Sequence, residues 1–198
     1  FLNHDPRQVR ALRERYGGGP LLLFVGVLRY YKGLQYLLEA MPGIEATLIV
    51  VGKGPVESRL RSQVEQLSLK DKVAFAGRVS DEELPTYYQA ADIFVLPASQ
   101  RSEAFGLVQV EAMSSGTPIV STELGTGTSY VNKNDESGLV VPPRDPAALE
   151  GAINKLLRDK ALRRRLTRGA QRRSSLFALE RMIEDIEGLY QELLHGAD

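Results

Sequence analysis

Strands buried on both faces read as unbroken apolar runs, and Leu21–Val27 is such a run, with no charge in it. Gly33–Met41 follows with helical spacing, and Thr47–Val51 is a second β-rich run. Pro55–Leu67 then carries Leu60, Val64 and Leu67 on one stripe, as an amphipathic helix requires. Lys72–Ala76 reads as a third strand. Ser80-Asp81-Glu82-Glu83 opens the next helix as a capping box, because the Ser80 hydroxyl reaches the Glu83 amide. Ile93–Leu96, a helix over Phe105–Ser115, Pro118–Ser121 and a short Leu139–Val141 complete the series. Alternation of strand and helix at this spacing predicts an α/β, Rossmann-like, doubly wound parallel sheet.

From Pro146 the pattern is helical, with Asp145 as N-cap and Pro146 in the first turn. The final segment, Leu179–Leu194, carries Met182, Ile183, Ile186, Leu189, Tyr190 and Leu193 on one apolar stripe. Packing against the sheet is the default for such a stripe; reaching towards another domain is the alternative. Residues 1–198 are therefore read as one domain, with a core over about 20–145 and a helical tail over 146–198. Phe1 is not Met, and the polar Asn3-His4-Asp5-Pro6 behind it reads as the interior of a longer chain.

Composition removes several functions. Lys plus Arg and Asp plus Glu each number 25, so net charge is zero and no global attraction to nucleic acid is expected. No cysteine is present, which excludes disulfides and thiolate metal sites. His4 and His195, near opposite ends, make a histidine metal site or a Ser-His-Asp triad a poor reading. No apolar run approaches the roughly 20 residues that span a bilayer. Between Arg158 and Arg173 lie eight cations, read first as a solvated helix face and second as a surface for anionic lipid or a partner domain.

In open parallel sheets, ligands bind beyond the carboxyl ends of the strands. Four loops there carry informative residues. Gly26-Val27-Leu28-Arg29-Tyr30-Tyr31-Lys32-Gly33 combines a glycine that permits close approach with two cations suited to a diphosphate. Its spacing is not that of a Walker loop. Gly52-Lys53-Gly54-Pro55 opens space at a strand tip, and Gly77-Arg78-Val79 offers backbone groups to a nucleobase edge. Plain turns explain both equally well. In the fourth, Glu103 precedes a helix whose first amides, over Phe105–Val108, would form an anion site. Glu111 lies about two turns deeper, at ~1.5 Å per residue. It sits among Val108, Val110, Ala112 and Met113, where an unpaired carboxylate is costly, so it asks for a partner.

In this order the four loops resemble the carboxy-terminal domain of the retaining glycosyltransferases of family 4, one half of a GT-B fold. The resemblance runs from Leu21 to about Pro146. Its most specific element is the pair Glu103 and Glu111, framed by Ala91-Asp92-Ile93-Phe94-Val95-Leu96-Pro97, by Ala112–Val120 and by Gly138-Leu139-Val140-Val141-Pro142-Pro143. The resemblance implies that Glu103 contacts the donor sugar and Glu111 the ribose. Lys32 and Arg29 would neutralise the diphosphate leaving group, and Phe105, Gly106 and Leu107 would touch sugar and phosphate. Gly26 would allow close approach, with Gly54, Arg78 and Val79 near base and ribose.

Two departures stand out. Val27 occupies a position that is often Arg in the family, and Glu123–Val131 lacks the usual Gly-Gly pair. The variant, with Tyr30-Tyr31-Lys32-Gly33, is similar to bacterial mannosyl- and rhamnosyltransferases of surface-polysaccharide assembly. That similarity implies GDP-mannose as donor, with UDP-sugars as the alternative.

The expected reaction is retaining transfer to a glycan or lipid-linked acceptor without metal or other cofactor, since no Asp-x-Asp pair occurs. The amino-terminal acceptor domain would be absent from this chain, leaving donor binding without appreciable turnover. A cytoplasmic enzyme is implied, with peripheral contact at the inner membrane face as a variant. A non-catalytic nucleotide-binding module and a GT-B epimerase or phosphorylase remain rivals. A dinucleotide-dependent oxidoreductase is a third, though it lacks Gly-x-Gly-x-x-Gly after the first strand.

Overall fold

The computed structural model describes residues 5–195, so the reading of Phe1–His4 as interior to a longer chain lies outside it. β1 (Leu21–Val25), β2 (Thr47–Val51), β3 (Val73–Gly77), β4 (Ile93–Leu96), β5 (Ile119–Thr122) and β6 (Gly138–Val141) form one parallel sheet in the order β3-β2-β1-β4-β5-β6. The chain works outward from β1 to β3, then returns to β4 on the other side of β1. That reversal opens a crevice beyond the carboxyl ends of β1 and β4.

Every residue of β1 is buried, and the two-residue period of a strand divides them between two cores. Leu22 and Phe24 join Leu48, Val50, Ile93 and Val95 under α2 (Leu34–Ala40), α3 (Glu57–Gln66) and α7 (Pro146–Arg158). Leu21, Leu23 and Val25 join Ile49, Val51, Phe94 and Leu96 under α4 (Leu84–Ala90) and α5 (Leu107–Ser114). Each fully buried side chain of this size contributes about 1.5–3 kcal/mol.

The ends of the elements are set by backbone chemistry. Gly33, at φ 71°, separates a short 3₁₀ turn over Tyr30–Lys32 from α2. Gly106, at φ 74°, delays α5 until Leu107, two residues later than the sequence pattern suggests. The Ser80–Glu83 capping box forms, each backbone amide bonded to the other's side chain at 3.2 Å. Asp145 caps α7 through the Ala148 amide at 2.9 Å.

Two helices escape the periodicity reading. In α1 (Pro6–Arg15) no residue is fully buried, although Asp5 and Pro6 open it as a capped helix. α6 (Gly127–Val131) is too short to show a period.

α8 (Lys160–Ser174) folds back over the β6 side, with Leu166 in one core and Ala170 in the other. Three of its arginines are tied into the fold: Arg163 to Asp92, Arg165 to Asp135 and Arg173 to Glu136 and the Val131 carbonyl. Lys160, Arg164, Arg168 and Arg172 form an exposed face, so the solvated reading holds for these and not for the whole stretch.

The default expectation for the last helix is wrong. In α9 (Leu179–His195), residues 179–194 are all exposed, including Met182, Ile183, Ile186, Leu189, Tyr190 and Leu193. The sheet faces are already covered by α1–α5, α7 and α8, so no surface is left for this stripe.

Candidate active site

The crevice is held open by bonds between neighbouring loops. The Gly26 amide donates to the Val51 carbonyl at 3.0 Å, and the Gly52 amide to the Gly77 carbonyl at 2.7 Å. A Cβ at Gly52 would stand 2.0 Å from the Gly26 oxygen, and one at Gly54 2.3 Å from the Leu28 oxygen. Backbone therefore packs on backbone there, which only glycine allows. Across the reversal, the Ser99 amide donates to the Tyr31 carbonyl at 2.8 Å. Gly33 sits so close that its Cβ would lie 1.9 Å from the Pro97 oxygen.

This bolting brings the two principal sequence candidates into contact. Lys32 Nζ lies 2.5 Å from Glu103 Oε2, with the side chains 12% and 9% exposed. The lysine stem arches over Gly26, whose hypothetical Cβ would be 3.6 Å from Lys32 Cε. Glu103 is itself held from behind: its carbonyl accepts from the Thr126 hydroxyl at 2.9 Å, and the Gly127 amide bonds the Ala104 carbonyl at 2.8 Å. Apart from Lys32, Glu103 Oε2 has no partner among the described residues. A buried ion pair lacking further hydrogen bonds adds little stability, because desolvation offsets much of the attraction.

Beyond Glu103, α5 begins with no side-chain cap among the described residues, which leaves its first amides without side-chain acceptors at the helix start. Phe105 and Leu107 are exposed, and Phe105 stacks edge-on against Phe177 at 5.9 Å. Glu111, deeper on α5, finds the partner its apolar neighbours demand. The Tyr88 hydroxyl donates to Glu111 Oε2 at 2.7 Å. Burial, then the Glu111 charge, push the Tyr88 phenol far above its ordinary range, so it remains a donor.

The other candidates spread along the same edge. Arg29 is exposed at the mouth and pairs with no acid among the described residues. Gly54 backs the first loop. Arg78 is exposed and Val79 half-buried just past β3, about 10 Å from the β1 loop at two strand spacings. Lys53, between Gly52 and Gly54, reaches over Gly77, where a Cβ would stand 3.4 Å from the Lys53 Cε. The same sheet edge continues into a hollow of about 610 Å³ lined by Ser99, Gln100, Arg101, Glu123, Leu124, Pro143 and Arg144. A slightly larger hollow, about 650 Å³, lies between α1 and α4, away from the Lys32–Glu103 pair. Among the described residues, no group of three His, Cys, Asp or Glu side chains gathers to hold a metal, and no helix is long and apolar enough to cross a membrane.

Asp92, part of the sequence motif, sits elsewhere. It lies at the amino end of β4, where Oδ2 accepts from Arg13 and from the Leu21 amide, both at 3.0 Å. Its role is to join α1, β1 and β4.

Residues 7–173 match the family profile of glycosyl transferases group 1. The chain belongs to that family. It is 37% identical over 196 residues to O-antigen chain mannosyltransferase C of Escherichia coli, covering 98% of this chain and 52% of that protein. It is 46% identical over 144 residues to D-rhamnosyltransferase WbpZ of Pseudomonas aeruginosa, covering 73% and 37% respectively. Among solved structures, sucrose-phosphate synthase from Thermosynechococcus elongatus matches with a TM-score of 0.84 at 31% identity, over 99% of this chain and 50% of that one. The chain spans about half, or less, of the length of these relatives. Membership of this family, with its GT-B fold, removes the dinucleotide-dependent oxidoreductase as a rival.

The signal that sequence reading passed over is Tyr88. It stands in Tyr87-Tyr88-Gln89-Ala90-Ala91-Asp92, immediately before the motif that opens at Ala91.

Proposed function

We propose that this chain is the donor-binding half of a retaining glycosyltransferase that takes a sugar from a nucleoside diphosphate sugar to a glycan or lipid-linked acceptor. The observation that carries the proposal is the meeting of Lys32 and Glu103 at the reversal between β1 and β4. As the bond from the anomeric carbon to the β-phosphate oxygen breaks, negative charge accumulates on the diphosphate. Lys32 and the opening amides of α5 are fixed where that charge would develop, and fixed donors lower such barriers. Arg29, at the mouth, adds a second cation. Glu103 accepts hydrogen bonds from sugar hydroxyls, and Glu111 from the ribose. Gly26, Phe105, Gly106 and Leu107 shape the diphosphate end; Gly54, Arg78 and Val79 flank the base. In this reading the cations and amides take the place of a metal, and no cofactor is required.

A mannosyl or rhamnosyl donor is favoured by the names of the relatives from Escherichia coli and Pseudomonas aeruginosa, and GDP-mannose is the donor we favour. An acceptor-binding domain completes the cleft. The exposed Val27, Tyr30 and Leu107 at its mouth and the uncovered stripe of α9 support a facing surface of that kind. We place the enzyme in the cytoplasm, with the free cations Lys160, Arg164, Arg168 and Arg172 available for an anionic membrane surface.

Calorimetric titration with GDP, UDP, ADP and their sugars tests the reading. Binding of one nucleotide family, weakened by Lys32→Ala and by Glu111→Ala, is the expected result. Absence of any nucleotide binding, or rapid sugar transfer by residues 1–198 alone, contradicts it.

A further inference from the structure

Glu111 has two carboxylate oxygens, and among the described residues a hydrogen bond is made to one of them, Oε2. Tyr88 is fully buried, packed against Phe94 with ring centroids 5.6 Å apart, and its hydroxyl donates to Glu111 Oε2 at 2.7 Å. Its own backbone is anchored from the next loop: the Thr117 hydroxyl donates to the Tyr88 carbonyl at 2.7 Å. The ring therefore has little freedom, and neither does the hydroxyl at its end. We propose that Tyr88 is the positioning residue for ribose recognition, occupying Glu111 Oε2 so that Oε1 is presented as a single oriented acceptor for the ribose hydroxyls. The inference rests on the proposed placement of Glu111 at the ribose.

The chemistry supports this division of labour. A carboxylate on a half-buried helix face swings about its last torsion unless something holds it, and a donor fixed by packing holds it without adding charge. A phenol has one proton to donate, and Tyr88 gives it to Oε2, so it does not compete with the ribose hydroxyls at Oε1. An alternative view makes the bond purely architectural, joining α4 to α5. The two views differ in what a nucleotide lacking ribose hydroxyls would report. Architecture affects all nucleotides alike, whereas positioning affects only those that use the acceptor.

The test is calorimetry of GDP and UDP against their 2′,3′-dideoxy counterparts, on the wild-type chain, Tyr88→Phe, Glu111→Gln and the double variant. Tyr88→Phe should weaken the ribonucleotide roughly 5- to 10-fold, within the range expected for the net contribution of one ordinary hydrogen bond, and leave the dideoxy compound unchanged. In the Glu111→Gln background, Tyr88→Phe should add nothing further. Equal weakening of both nucleotides, or no weakening of either, overturns the inference. If Tyr88→Phe fails to fold, Thr117→Val decides: it loosens the Tyr88 backbone and should cause a smaller loss, again confined to the ribonucleotide. A loss common to both compounds, or none, overturns the proposal there too. Failure of the wild type to bind any nucleotide would instead remove the underlying functional reading, while ribose preference that depends on Glu111 but ignores Tyr88 would remove this inference alone.

Discussion

Two ion pairs lie at opposite ends of the same strands, and they are built differently. At the amino end, Asp92 meets Arg13, with side chains 19% and 32% exposed. Here every group is used: Asp92 Oδ2 also takes the Leu21 amide, and Arg13 also donates to the carbonyls of Ala90 and Gly19. At the carboxyl end, Lys32 and Glu103 are more buried, yet Glu103 Oε2 has Lys32 alone as partner among the described residues. Saturation, more than burial, separates the two. A charge the fold keeps for its own stability is surrounded by backbone donors and acceptors; the pair we propose for the ligand is left with capacity to spare.

The largest effect should come from Gly33→Val. A side chain there meets the Pro97 oxygen and adopts a left-handed backbone that β-branched residues resist, so the β1 and β4 loops must part. Chemical denaturation should show a loss above about 3 kcal/mol or failure to fold. Next come two matched double variants. Lys32→Met with Glu103→Gln replaces an unsaturated pair by neutral groups, so stability should hold or rise while nucleotide-sugar affinity falls at least ~100-fold. Arg13→Met with Asp92→Asn should do the reverse, costing about 1–3 kcal/mol with affinity within about 2-fold of wild type. Identical behaviour of the two doubles would erase the distinction between the ends of the sheet.

Glu123 sharpens the comparison because it lies at the carboxyl end, but its Oε1 already takes two donors of the fold. The Ser129 hydroxyl, at 2.6 Å, and then the Gly125 amide, at 2.8 Å, hold its carboxyl below the usual range. A lowered pKa stabilises the fold above the unfolded value of about 4.3, and the contribution fades as pH falls through the folded value. The group is exposed, so the effect is well under about 1 kcal/mol. Glu123→Gln should flatten that small acid-side dependence in thermal unfolding and leave donor affinity unchanged. Arg164→Ala and Arg168→Ala, on the free face of α8, should change stability by less than about 0.5 kcal/mol.

Much of the fold was legible because its signals are local. The apolar strands sit within a residue or two of where the runs lie, and the caps at Ser80 and Asp145 form as their residue types require. Glu111 even announced its need for a partner through its apolar neighbours. What escaped depends on distance along the chain. Tyr88 lies 23 residues from Glu111, and nothing in the spacing marks it as the donor. The apolar stripe of α9 looked like core because periodicity records amphipathicity without saying what covers it. Asp92, quoted for its motif, proved to be a joint between α1 and the sheet.

By itself, the order of residues determined the strands, the helices other than α1 and α6, and the loops that carry cations, carboxylates and glycines. The tertiary structure alone decided which of those loops touch. Lys32 and Glu103 are 71 positions apart in the chain, and they meet because β4 returns beside β1 instead of extending the sheet past β3. Secondary structure follows from interactions over a few residues, whereas that choice of neighbour comes from the packing of two whole cores.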